Sequence, residues 1–417
     1  MRHFRLLVLG NGISAYGSYL NMVALNVFVY DATGSALAAG LFMAVRLATS
    51  VVSGWVSGRL VSAHDRKRLM VGADLCQAAA LLTLLLAPDG MRTGLLYALA
   101  VVTGGCSTLS QVALRSSIPE IVGAEHRVRA NGLLVTGRSL AMIAGFASSG
   151  LVVAQLGYSA AFALDAATFL VSATVLFLLP VRTKAAAADG GPAETSGAVR
   201  WTARMLLGTA PVLMAMIAVR AVDGLGSSSH NVALPIYSSS LDPDHPATFI
   251  SQFWATWAIG NIVAQQVIGR VTKKTGRTPG ERAFALGACV MSAGFIVVFC
   301  GLPTAPAVLA ALVAGAADGF TEIVYVSRLQ TAPDDQRGRL FGLSASAENT
   351  GFGLGMLVSG ALLEKFSPLH VVAAFHGLAI ALCLALLLSL LRRGGARGPG
   401  AEERADRDTS TVVKGRG

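Results

Sequence analysis

Charged residues stand where an apolar chain should not carry them. Arg220 and Asp223 lie three apart inside the apolar stretch 205–238, and Asp318 and Glu322 lie four apart inside 305–327. Both spacings put the pair on one face of a helix. A charge near the centre of a bilayer costs roughly 2.5–3.5 kcal/mol on insertion scales, so such residues face a cavity and find partners. Two carboxylates on one face repel when both are ionised, which favours holding a proton between them. Asp318, Glu322 and Asp223 therefore form a candidate proton-responsive cluster, with Arg220 as counter-charge. A permanent ion-pair network joining two helices and a direct contact with a substrate are the alternatives.

Further polar residues sit within apolar stretches. Arg46 and Arg138 suit an anionic substrate, or the neutralisation of a neighbour such as Asp165 or Glu348. Asn11, Asn21 and Asn26 suit a cavity wall or plain helix–helix hydrogen bonds. Asp74 follows the basic run Arg66–Arg68 and is expected to tie that loop down. Phe253, Trp254 and Trp257 read as an interfacial aromatic belt or as a wall for a flat hydrophobic molecule. His230 and His376 are isolated in sequence and carry no assignment. The five cysteines lie in apolar segments without metal-ligand spacing and read as small hydrophobes. Gly351 to Gly355 (GFGLG) has no preceding strand, so close helix packing explains it better than a nucleotide loop. No stretch gathers a nucleophile, base and orienter, or a metal cluster. The expectation is therefore no catalytic residue, no metal, no cofactor and no enzyme activity.

The elements that position these residues are long apolar segments. The 417 residues are 53% hydrophobic and 13% charged, with a mean hydropathy of +0.61. Soluble globular chains carry about 25% charged residues. Twelve segments have the length of a bilayer-spanning helix, at about 4–30, 36–61, 69–87, 93–118, 131–154, 158–180, 205–238, 248–271, 283–302, 305–327, 340–363 and 368–391. They divide into a first bundle over 1–180 and a second over 205–391. The linker 181–204 is rich in Ala, Gly, Pro and Ser, and the tail 392–417 reads as disordered. Corresponding loops follow the second and eighth spans, and the fourth and tenth, as an internal duplication would leave them. The fold class is all-α and integral to the membrane, with two six-helix bundles.

Twenty-six of the 33 lysines and arginines fall on one side of this layout and two, Arg92 and Lys365, on the other. That asymmetry predicts cytoplasmic termini. It also accounts for the net charge of +10 without a nucleic-acid partner. The preference for arginine over lysine, 27 to 6, suggests a GC-rich bacterial genome and hence an inner-membrane location.

Four stretches carry a resemblance to a known family: Val23 to Gly40; Gly58 to Asp74 (GRLVSAHDRKRLMVGAD); Arg115 to Gly132 with Phe162 to Ser172; and Pro333 to Gly342. In this order and at these spans they resemble the major facilitator superfamily, specifically its twelve-span drug and siderophore exporter branch. The likeness covers about residues 4–391. It implies alternating access between two rocking bundles, powered by a proton gradient. It also implies a cytoplasmic loop motif at Gly58, Ser62, Asp65, Arg66 and Asp74, and a gate position at Arg115. Where the family usually has Asp-Arg in that loop, this chain has Ser62 and Ala63, which leaves Ser62 as a helix-capping candidate. Ser18 stands near a first-span position that is often acidic, and Gly145 is followed by Phe146 instead of the proline of many antiporters.

The expectation is a monomeric proton-coupled exporter of a small amphipathic organic molecule, such as a drug, antibiotic or other secondary metabolite. An importer or uniporter of the same fold, and a non-transporting membrane receptor or assembly factor, stand as alternatives. Its partners are the small-molecule substrate, protons and the lipid bilayer.

Overall fold

The computed structural model describes residues 2–122, 127–179, 211–276, 279–331 and 334–395. The linker 181–204 lies outside the described residues, as does the tail beyond Gly395. Gly58 and Ser62 are described by backbone alone.

Among the described residues there is no strand. Helices α1 (Arg2–Thr33), α2 (Ala36–Ala63), α3 (Arg66–Leu86) and α4 (Asp89–Val122) are followed by a long helical stretch, Arg127–Leu178. Gly157, at φ 77° and ψ 174°, breaks that stretch into α5 (127–156) and α6 (158–178). A Cβ is disfavoured at positive φ, so glycine marks the turn. The second half comprises α7 (Pro211–Leu241), α8 (Pro246–Thr275), α9 (Glu281–Val298), α10 (Thr304–Gln330), α11 (Asp334–Leu363) and α12 (Pro368–Gly395).

Local chemistry sets the ends. Ser35 caps α2 by accepting from the Ala38 amide at 3.2 Å, after Gly34 turns the chain at φ 63°. The turn between α1 and α2 is short, because α1 runs on to Thr33. Asp65 caps α3 by accepting from the Arg68 amide at 3.1 Å. Ser62 lies in the last turn of α2, and the residue at the start of α3 is Asp65. Pro246 opens α8 at a position whose N–H has no helical partner.

Eight stretches are long and apolar enough to cross a bilayer, one of which, Gly132–Leu178, covers α5 and α6. Helices α1, α8 and α11 fall short of that measure. Each packs at the junction of the two bundles, α1 and α5 against α8 and α11 against α2. Polar residues there meet protein instead of lipid. Within the first bundle α1 packs on α5 and α2 on α4; the second bundle repeats the pattern with α7 on α11 and α8 on α10. That correspondence is the packing an internal duplication would leave.

The contacts that join the bundles gather on the face opposite the basic loops. A Cβ at Gly40 would come within 2.5 Å of the Met356 carbonyl oxygen, so α2 and α11 approach closely only because that residue is glycine. Phe146 on α5 meets Trp254 on α8 at 5.6 Å between ring centroids. Glu364, just past α11, reaches across to the start of α2. Its Oε1 accepts from the Leu37 amide at 3.0 Å and the Ser35 hydroxyl at 2.7 Å. An anion at a helix N-terminus is favoured by the peptide dipoles.

Those contacts, the Leu37 amide first and the Ser35 hydroxyl next, hold the Glu364 carboxyl below its ordinary value of 4.5. The lowered value belongs to the closed face, so protonation weakens closure. The contribution is whole above about 4.5 and fades as pH falls through the carboxylate range below it. Glu364→Gln should raise the population open on this face by roughly two- to five-fold. Electron-resonance distances between spin labels on α2 and α11 in a cysteine-free background measure this. A distance distribution unchanged by the substitution would show that Glu364 does not hold the face closed.

Candidate functional site

Arg220 lies one turn before the middle of α7 and is the centre of the second bundle's charge cluster. Its Nη1 donates to Asp223 Oδ2 at 3.1 Å and lies 3.8 Å from Asp318 Oδ1. Its Nη2 donates to Glu322 Oε2 at 2.7 Å and lies 3.9 Å from Glu348 Oε2. The guanidinium also lies over the Tyr325 ring, 5.5 Å from its centroid. One planar fork thus ties α7, α10 and α11 together. Asp318 and Glu322 do share a face of α10, as their spacing requires.

Secondary contacts hold the carboxylates. Asn261 on α8 donates to Asp318 Oδ2 at 3.2 Å, and Gln265 donates to Asn261 Oδ1 at 2.7 Å. Ser344 donates to Glu348 Oε1 at 2.8 Å and lies 2.6 Å from the Tyr325 hydroxyl. Exposure grades across the cluster: the Asp223 side chain is 8% exposed and Glu322 43%. Arg220 Nε and Asp223 Oδ1 are buried without a hydrogen-bond partner among the described residues.

Glu348 therefore belongs with Arg220 and not with Arg46 or Arg138, the partners its sequence position suggested. Asp165 is buried and takes a hydrogen bond from Asn21 Nδ2 at 2.7 Å. Asn21 thus ties α1 to α6. Arg46 senses Asp165 through space but makes no hydrogen bond among the described residues. Arg138 donates from Nε to the Tyr19 hydroxyl at 2.8 Å and from Nη1 to Gln111 Oε1 at 3.1 Å. Both arginines line a cavity of about 180 Å³ inside the first bundle.

Asp74 departs from its expected role. It is buried beside Ser172 and lines that same cavity. The loop is held instead by its cations: Arg66 donates to the Ser116 carbonyl at 2.6 Å, and Lys67 to the Leu179 carbonyl at 2.7 Å. Arg115 is exposed on α4, near the basic face.

The aromatics of α8 are no interfacial belt. Phe253 and Trp254 are buried. They surround His230, whose ring stacks on Phe295 at 4.0 Å between centroids. His230 Nδ1 lies 3.1 Å from Nε2 of His376 on α12. These two histidines are 146 positions apart, and only the packing of α7 on α12 makes them a pair. Gly351 and Gly355 face the backbone and side chains of α7, which bears out close packing. Of the cysteines only Cys383 is buried; Cys76 on α3 and Cys300 just past α9 are exposed, and all five are free.

Replacing Arg220 strands four carboxylates together. Arg220→Met should destabilise the protein by about 3 kcal/mol, the low end for a broken buried pair because the cluster is partly open. Adding Asp223→Asn should restore part of that loss. Thermal unfolding of the purified chain in detergent measures both. A single variant as stable as wild type would show that the cluster is not held by its cation.

The chain resembles transporters in sequence and in fold. Residues 7–331 match the sequence profile of the Major Facilitator Superfamily. The chain is 25% identical over 373 residues to the uncharacterized MFS-type transporter YfiS of Bacillus subtilis, covering 84% of each. It is 25% identical over 396 residues to the multidrug efflux pump Tap of Mycolicibacterium fortuitum, covering 92% of this chain and 93% of Tap. The fold superposes on the nucleoside transporter NupG with a TM-score of 0.72 at 14% identity, over 93% of this chain and 99% of NupG. A bacterial homologue of the iron transporter ferroportin, in an inward-facing state, gives 0.70 at 15% identity, over 93% and 98%. With a profile match along most of its length and that fold, the chain belongs to the Major Facilitator Superfamily.

Proposed function

We propose that this transporter exports a small amphipathic organic molecule from the cytoplasm by proton antiport. The observation that carries the reading is the imbalance at Arg220: one guanidinium stands among four carboxylates on three helices. A surplus of ionised carboxylates in a poorly hydrated site is costly. Protons, or a cationic part of the cargo, balance it. Because Arg220 divides its fork among α7, α10 and α11 within the second bundle, a shift among these helices as the bundles rock would change which carboxylate is left uncompensated. Proton occupancy and bundle position are then linked.

The export direction rests on the likeness to the efflux pump Tap. Twenty-six cations on one face favour cytoplasmic termini in a bacterial inner membrane. With that orientation the closed face is the outer one, and the site opens to the cytoplasm. One proton returning across 100 mV supplies about 2.3 kcal/mol, which sustains roughly a fifty-fold gradient. A single chain holds both bundles, so a monomer suffices. Import through the same machinery would raise substrate accumulation in expressing cells instead of lowering it.

The test is proton release from purified protein in detergent on adding amphipathic compounds such as ethidium, tetraphenylphosphonium and erythromycin. Release is expected from wild type and absent in Asp318→Asn/Glu322→Gln. Binding without release, or release that survives the double substitution, would make the carboxylates structural and remove the antiport reading.

A further inference from the structure

The second bundle's site is acidic; the first bundle's cavity is of another kind. It is lined from α1, α2, α3, α4, α5 and α6, by Asn11, Arg46, Asp74, Ser110, Gln111 and Arg138 among others. Several of its donors are unspent. Arg46 carries five N–H donors and uses none of them on the described residues. The Ser110 hydroxyl is buried and has no partner among those residues. Gln111 spends its carbonyl oxygen on Arg138 Nη1, which leaves its amide N–H groups. Arg138 commits Nε and Nη1 and keeps Nη2.

Neutral acceptors line the wall too, among them Asn11, Ser14, Ser18 and Ser172, but among the described residues the only carboxylate in the wall is Asp74. Asp165 acts on Arg46 through space, but its oxygens are engaged by Asn21 and Thr168. Asp74 is in the cavity wall, beside Ser172. Gln77 Oε1 already accepts from Ser107 at 2.8 Å. Arg46 is held in place because α2 packs tightly on α4: one turn on, Ser50 donates to the Gly104 carbonyl at 3.0 Å. An unspent guanidinium facing a cavity calls for an anionic acceptor, and a carboxylate matches its fork.

We propose that this cavity binds an acidic group of the cargo, a carboxylate held by Arg46 and Arg138. About 180 Å³ is smaller than the 300–1,000 Å³ of a pocket that swallows a drug-sized molecule. The cavity therefore takes one end of the cargo, and the rest lies in the cleft between the bundles. This inference names the substrate class for the proposed exporter and rests on that reading. Recognition is split: an acid at the first bundle, and an apolar or basic remainder toward the second.

The probes are rhodamine B, which has a free carboxylate, and its ethyl ester, which has none. Their binding to the purified full chain in detergent is read by fluorescence anisotropy, with no proton gradient. Wild type should bind the acid at least about tenfold more tightly than the ester, the scale of a hydrogen bond to a charged group. Arg46→Gln and Arg138→Gln should each remove most of that preference, while the ester loses far less. Arg46→Lys should fall between, since it keeps the charge and loses the fork. Binding of the ester and an unchanged unfolding midpoint report that the variants are folded.

Equal affinity for the two dyes, binding of neither, or an acid preference that survives the double substitution would overturn the proposal. The two readings separate cleanly. Equal affinities with substrate-triggered proton release intact would remove the acid site and leave the exporter. Acid preference without proton release from any compound would do the reverse.

Discussion

A charge taken into hydrocarbon must find its partner inside the protein, and the second bundle is organised around that requirement. Arg220 has one guanidinium to share, and α7, α10 and α11 each bring a carboxylate to it. Nothing in lipid would compensate any of these groups alone. The same contact that makes the helices converge leaves the site with more acid than base. The proposed coupling and the stability of the bundle would therefore draw on one interaction.

The junction between the bundles follows a different rule. Lipid tails are as apolar as leucine, so the membrane offers no hydrophobic force to press helices together. Close backbone approach takes its place: Gly40 against the Met356 carbonyl, and Gly150 on α5 against Ala247 of α8, where a Cβ would come within 3.0 Å of the carbonyl oxygen. Contacts of this sort are made or lost over small displacements, which suits surfaces that must part. Glu364 adds a polar clasp on the same face. Its exposure leaves it open to the medium, unlike the buried carboxylates of the cluster.

The two bundles repeat one packing pattern but not one chemistry. Helices α1 on α5 and α7 on α11 are counterparts. Yet the first bundle directs arginines and amides into its cavity, and the second directs carboxylates toward one arginine. Repetition of the backbone fixes where side chains can point. It does not fix what they are, so one scaffold carries two chemically unlike sites.

Helix positions were legible in the chain because a bilayer demands about 20 apolar residues in a row, and that demand is local in sequence. Pairing of Arg220 with Asp223, and alignment of Asp318 with Glu322, followed from helical periodicity for the same reason. The sidedness of the cations was equally local. What the sequence could not show was partnership across distant helices. Glu348 joined Arg220, Asp74 turned inward from its basic loop, and His230 met His376 because of how α7, α10, α11 and α12 pack. Periodicity says which face a residue is on; only the packing of one helix against another says what that face meets. A buried aromatic box around His230 and a donor-rich cavity around Arg46 are products of that second step, and no spacing along the chain encodes them.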